Sequence, residues 1–291
     1  MLPILFAFLA YISWAVGDIV SVHLSRKLST WSMGFWGYIL RLGLYTLAIP
    51  LFTNDLHGLT PTIAVYALLV GLSTVLGQLC FYKAVRLTNP ALAGTITGSW
   101  GATSILYSLI FLHEQPTMLQ FVAIGVIFSG IAISIVQLLR NENILSIRLI
   151  QDRGVWWALA GAALWGICGS FIKIPIAHIG WFWSTYALVL PFGFITLYRL
   201  ILQRKLPENP KKQHLTFPLI FYAFLLVLAE SSYNIGIQLG HVAVVAAIAG
   251  SYSSLYAVLA FIIFREPLTR QQKIGIIITI LGIVALSFLS V

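Results

Sequence analysis

Asp18, Arg41 and Glu230 are the ionisable side chains that lie well inside long apolar stretches. Charge placed in hydrocarbon is costly, so such groups face a bundle interior or a water-filled cavity and mark candidate functional sites. A carboxylate in that setting can carry a proton or hold an ammonium group. A guanidinium can bind a carboxylate or pair with an acid of the same chain. Tyr11, Trp14 and Asp18 recur at i, i+3 and i+7, one continuous helical stripe. At about 1.5 Å per residue, Asp18 lies roughly 6 to 10 Å from the end of its stretch. Glu230 shares a face with Tyr233 and Asn234 at i+3 and i+4. Trp14, Trp100, Trp165, Tyr233 and Tyr252 offer aromatic faces to a cation, and Ser99 and Ser251 offer hydroxyls. The six histidines are scattered and form no i, i+4 ligand pair, so no metal site is expected.

The elements that hold these groups follow from composition. Of 291 residues, 59% are hydrophobic and 9% charged, where a soluble domain carries about a quarter charged residues. The chain is therefore expected in a bilayer. A helix needs about 20 apolar residues to cross about 30 Å of hydrocarbon, and ten such stretches occur, near 2–22, 32–52, 63–85, 90–112, 117–138, 155–173, 179–201, 217–237, 242–264 and 272–290. Barrel strands would be shorter and alternate in polarity, so the expected fold is an all-α membrane protein. The first stretch lacks the basic n-region and small-residue cleavage site of a signal peptide and is taken as a span.

Net charge is +9, but the basic residues stand singly or in pairs between apolar runs, unlike the basic patch that binds nucleic acid. Fifteen of the 17 Lys and Arg fall on odd-numbered connectors; the others are Lys173 and Arg41. Lys and Arg accumulate on the cytoplasmic side of short loops, which predicts odd connectors in the cytoplasm and both termini outside. Cys80 and Cys168 lack any CxxC partner and read as small buried side chains. Trp156, Trp157, Trp181 and Trp183 mark interfacial belts.

A shift of 152 aligns residues 78–134 with 230–286 without a gap. Gly98-Ser99-Trp100 meets Gly250-Ser251-Tyr252, Glu114 meets Glu266, Thr117 meets Thr269, and Gln120 meets Gln272. Gln78 is the neutral counterpart of Glu230, and a shift of 151 pairs Trp14 with Trp165. Each half thus holds five spans, residues 1–140 and 155–291, joined by a cytoplasmic connector at 141–154. An odd number of spans turns the second half upside down, the arrangement that places a site near the midplane and gives alternating access by rocking. Small residues at Thr95, Gly98, Ser99 and Ala102, and at Ala247, Gly250, Ser251 and Ser254, predict close helix packing. Glu114 and Glu266 precede a helix start and are expected to complement its positive end.

Ten spans in two five-span halves, a Trp midway along each first span, and Glu114 to Thr117 and Glu266 to Thr269 after each fourth resemble the drug/metabolite transporter superfamily, EamA type. The resemblance covers nearly the whole chain. It implies transport of small solutes, often export of amino acids or other metabolites, through a cavity lined mainly by the first, third and fourth spans of each half.

The expected function is a secondary transporter of the inner membrane that moves an amino acid or related metabolite outward by alternating access. The alternative is uptake, or drug efflux, of a cationic or aromatic metabolite. No Gly-x-x-x-x-Gly-Lys loop or soluble ATP-binding segment is present, no cofactor is expected, and a proton is a candidate coupling ion. One chain supplies both halves, so a monomer suffices. A lipid-acting enzyme would need a His and acid cluster near one membrane face, and a scaffold would bind no solute.

Overall fold

The computed structural model describes residues 1–25, 27–88, 93, 96–141, 152–204, 206–265 and 268–290. Arg26, Asn89-Pro90, Thr95, Lys205, Glu266-Pro267 and most of the connector 141–154 lie outside the described residues. The first half contains α1 (Leu2–Ser25), α2 (Thr30–Ala48), α3 (Pro61–Leu87), α4 (Trp100–Phe111) and α5 (Met118–Asn141). The second contains α6 (Arg153–Phe171), α7 (Lys173–Leu197), α8 (Thr216–Leu239), α9 (Val242–Gly250), α10 (Ser253–Phe264) and α11 (Arg270–Leu289). No strand occurs among the described residues.

Seven segments are long and apolar enough to cross a membrane, counting α9 and α10 together as Val242–Phe264. Trp100–Phe111 and Met118–Ile133 are shorter apolar helices, and α2 carries Arg41 within its 19 residues. These three account for the difference from ten expected spans.

Polar residues at the ends set where helices begin. Ser29 caps α2, Thr60 with Pro61 caps α3, and Asp152 caps α6 through the Gly154 N–H at 2.7 Å. Thr117 with Gln120 and Thr269 with Gln272 form matching capping boxes on α5 and α11, the side chains exchanging bonds with each other's backbone N–H at 2.9 to 3.3 Å. The Thr and Gln repeated at an offset of 152 therefore serve the same two helix starts.

The halves interlock rather than sit side by side. The first helix of each packs on the third of the other, α1 on α8 and α6 on α3, while α5 packs on α11 and α4 on α9. A Cβ on Gly130 would lie 2.5 Å from Thr279 Oγ1, and one on Gly282 would lie 2.8 Å from the Ile127 N. Residues 127 and 130 meet 279 and 282, their own repeat counterparts, in reciprocal fashion, which is the signature of an isologous two-fold contact. Rising numbers on α5 meet falling numbers on α11, so these equivalent helices run antiparallel.

Connector contacts respect parity. Glu208 accepts from the Ser29 N–H at 3.3 Å, joining the α1–α2 and α7–α8 connectors. Thr88, at the end of α3, donates to Asp152 at 2.5 Å. On the opposite face, Trp183 Nε1 donates to the Phe52 carbonyl at 2.8 Å, and Gly58 is pressed against the His178 backbone. There α7 is two helices meeting at Gly180 (φ 70°, ψ 170°), a left-handed residue that glycine tolerates without a Cβ clash.

Candidate functional site

Both fourth spans are interrupted at the repeated motif. Ser99 adopts φ −74°, ψ 8° before α4, and Ser251 adopts φ −86°, ψ 9° between α9 and α10. Each hydroxyl donates to the carbonyl three residues back, Ser99 to Ile96 at 2.6 Å and Ser251 to Ile248 at 2.7 Å. The same carbonyls accept the backbone N–H of Ser99 at 3.1 Å and of Ser251 at 3.2 Å, so each hydroxyl adds a second bond at the break. The breaks let Gly101 and Gly250 meet backbone to backbone, since a Cβ on Gly250 would stand 2.9 Å from the Gly101 Cα. Trp100 and Tyr252, one residue past each Ser, are aimed into the space between the halves.

That space is a cavity of about 290 Å³, near the lower bound of about 300 Å³ for small-molecule sites. Both halves line it, and its charged residues are Asp18, Arg41 and Glu230. Trp14, Gln78, Trp100, Trp165, Tyr233, Asn234 and Tyr252 also line it. Ser99 and Ser251, expected to offer hydroxyls to a solute, stand outside this lining; their hydroxyls donate to backbone carbonyls, and Ser251 is fully buried.

Arg41 and Glu230 form an ion pair across the halves. The Arg41 Nε also donates to the Gly37 carbonyl at 3.3 Å, and the guanidinium lies 5.6 Å from the Phe192 ring centre. Tyr45 donates to the second Glu230 oxygen at 3.3 Å, so both carboxylate oxygens have a partner within the protein. Beyond the pair, Tyr45 abuts Phe182, which stacks on Phe52 with ring centres 4.3 Å apart.

Asp18 stands apart. It accepts a hydrogen bond from Tyr252, and among the described residues the ion pairs involve only Arg41–Glu230 and Glu114 with Lys173 and His241. One turn earlier on α1, Trp14 has ring centres 5.5 Å from Trp100, 5.5 Å from Tyr233 and 5.8 Å from Tyr252. Its repeat counterpart Trp165 is used differently: the indole N–H donates to the Thr74 carbonyl at 3.2 Å, and the ring fills the space left by the missing side chain of Gly77. Tyr233 donates to the Gly169 carbonyl at 2.8 Å, and the Asn234 amide to Thr185 at 2.6 Å.

Sequence reasoning missed Met33, Gly34 and Gly37 on α2, Leu188, Val189 and Phe192 on α7, and Tyr222 and Leu226 on α8. Two stripes carry the signal for part of this set. Gly34, Gly37 and Arg41 fall at i, i+3 and i+7, and Tyr222, Leu226, Glu230 and Asn234 recur every four residues. Cys168, a free thiol packed against the core as expected, also lines the cavity along one side.

Ile172 lines the cavity, and its chain neighbour Lys173 belongs to a second charged cluster, around Glu114. Glu114 pairs with Lys173, and its two oxygens accept the Val242 and Ala243 N–H groups at 2.8 and 2.9 Å. The expectation that Glu114 serves the helix it precedes is thereby corrected: it caps α9 of the other half, while Thr117 caps α5. Burial opposes ionisation of Glu114, but the Lys173 ammonium and two helix-terminal N–H groups outweigh it and hold the carboxyl below its ordinary value.

A crystal structure whose chain is 13% identical superposes with a TM-score of 0.77 over 99% of this chain and 97% of its own, a likeness of fold. Comparison with curated proteins finds no match. The family model of the EamA-like transporter family matches twice, over residues 1–136 and 152–288. With both halves matched, this chain belongs to the EamA-like transporter family, a multi-pass membrane family of the drug/metabolite transporter type.

Proposed function

We propose that this chain is a secondary transporter of the inner membrane that moves a small organic solute, an amino acid or related metabolite, outward by alternating access. In this reading ten spans form two inverted five-helix repeats over residues 1–140 and 155–291, both termini lie outside, and the cavity is the solute site. The observation that carries it is the cavity itself: it lies between interlocked halves, at two broken helices that meet at Gly101 and Gly250, with a charged residue on α1, α2 and α8. Discontinuous helices at a repeat interface are where secondary carriers hold solute. Arg41 and Glu230 fix the two halves relative to each other, Asp18 recognises the solute, and the aromatic residues form its walls.

Proteoliposome counterflow with a solute panel, with and without an imposed proton gradient, tests this reading. Saturable exchange of at least one amino-acid-related solute is expected, and its direction and proton dependence follow from the gradients. Failure of every solute to exchange, with protein correctly inserted, would overturn it.

A further inference from the structure

Resting on the carrier reading, the charges of the cavity narrow its solute from amino acids at large to the carboxylate-free amines related to them. The lining holds two carboxylates and one guanidinium. Arg41 and Glu230 neutralise each other, and Tyr45 and the Gly37 carbonyl take further bonds of the pair. Removing either from that arrangement to serve a solute leaves the other charge buried and unpaired, which is strongly unfavourable. The charge left over is that of Asp18, whose partner is the neutral Tyr252 hydroxyl. A carboxylate inside a low-dielectric enclosure attracts a cation far more strongly than one in water. Trp14, Trp100 and Tyr252 line the same cavity as Asp18 and pack on one another, and aromatic rings attract a cation placed over a face within about 6 Å.

We infer that the cavity selects organic monocations, solutes with an ammonium group and no free carboxylate, with Asp18 as the recognising anion and the Trp14 cluster as its aromatic wall. A monocation brings the cavity to neutrality. A zwitterion leaves its own carboxylate with no cation except the already matched Arg41, and an anion adds a second uncompensated negative charge.

Four probes of one ring system separate these cases: tryptamine (cation), tryptophol (neutral), tryptophan (zwitterion) and indole-3-propionate (anion). Binding to the purified full chain is read by ligand-dependent thermal stabilisation. Tryptamine is expected to bind at least about tenfold more tightly than tryptophol or tryptophan, the worth of one charge-assisted hydrogen bond, and indole-3-propionate most weakly. In Asp18→Asn, tryptamine should fall to within about threefold of tryptophol. The inference is overturned if tryptamine gives no stabilisation, if tryptophan or tryptophol equals it, or if its advantage survives in folded Asp18→Asn. Equality with tryptophol is also the result expected if a proton occupies Asp18. Should the variant not fold, the wild-type series decides alone. Counterflow keeps the two readings apart: tryptamine bound but never exchanged sinks the carrier and leaves the charge preference, whereas tryptophan exchanged in preference to tryptamine does the reverse.

Discussion

The two halves are built to one plan and furnished differently. Gly37 and Arg41 on α2 and Leu188 and Phe192 on α7 line the cavity at positions related by a shift of 151, and Gln78 on α3 faces it opposite Glu230 on α8. At the first pair, one half brings a guanidinium and the other a ring; at the second, one brings an amide and the other a carboxylate. The odd partners find each other: Arg41 pairs with Glu230 and lies over Phe192. Where the chain repeats without change, as at the two capping boxes and the two serine-bearing breaks, the residues solve backbone problems common to both halves. At the cavity the two halves differ in charge at these positions, where a symmetric lining would offer a solute two equivalent ends.

Substitutions that remove the difference should cost most. Arg41→Leu strands the Glu230 carboxylate and is expected to lower stability by roughly 3 to 5 kcal/mol, read as a fall in the thermal unfolding midpoint. Arg41→Leu with Glu230→Leu should regain most of it, since two apolar groups leave no buried charge. If the double variant is no more stable than the single, the pair is not what links the halves. Glu114→Ala comes next, at about 3 kcal/mol, because it leaves the half-buried Lys173 ammonium and two N–H groups of α9 without their acceptor. Its contribution has a defined pH window. The folded carboxyl titrates below its unfolded value of about 4.3, so the stabilisation is complete above that value and is lost as pH falls through the folded one. The gap between wild type and Glu114→Gln should accordingly close in unfolding midpoints followed from pH 7 toward pH 3.

Gly250→Ala puts a methyl group against the Gly101 backbone, and Gly130→Ala puts one against Thr279. Each is expected to cost about 1 to 3 kcal/mol by overpacking, measured in the same melts. The smallest effects test sameness: Thr117→Ala and Thr269→Ala each break a capping box and should cost about 1 kcal/mol. A clear inequality between those two would show that even the shared parts have diverged.

What could be read ahead of the structure was whatever lies on one helix or recurs along the chain. Tyr11, Trp14 and Asp18 reach the interior together because a single helical period orders them. The repeat and the all-helical architecture are likewise one-dimensional signals. Pairings between helices leave no such trace. Nothing in the spacing joins Arg41 to Glu230, 189 residues away, or directs Glu114 across to Val242 rather than to the helix that follows it. Ser99 and Ser251 sat in the right segment, but whether a hydroxyl turns toward a cavity or back to its own carbonyl depends on a backbone break that composition does not encode. The lining from α7 was missed because Leu188, Val189 and Phe192 look like any other lipid-facing or packing residues.

Gly101 and Gly250 touch without any side chain between them. Most helix crossings are geared, with knobs seated in holes that must disengage before the axes turn. A crossing of bare backbone has no teeth, so it can serve as the bearing of the molecule while the toothed contacts around it change. In the proposed alternating-access cycle, a single methyl group introduced there would act as grit, slowing the exchange of orientations more than it loosens either of them.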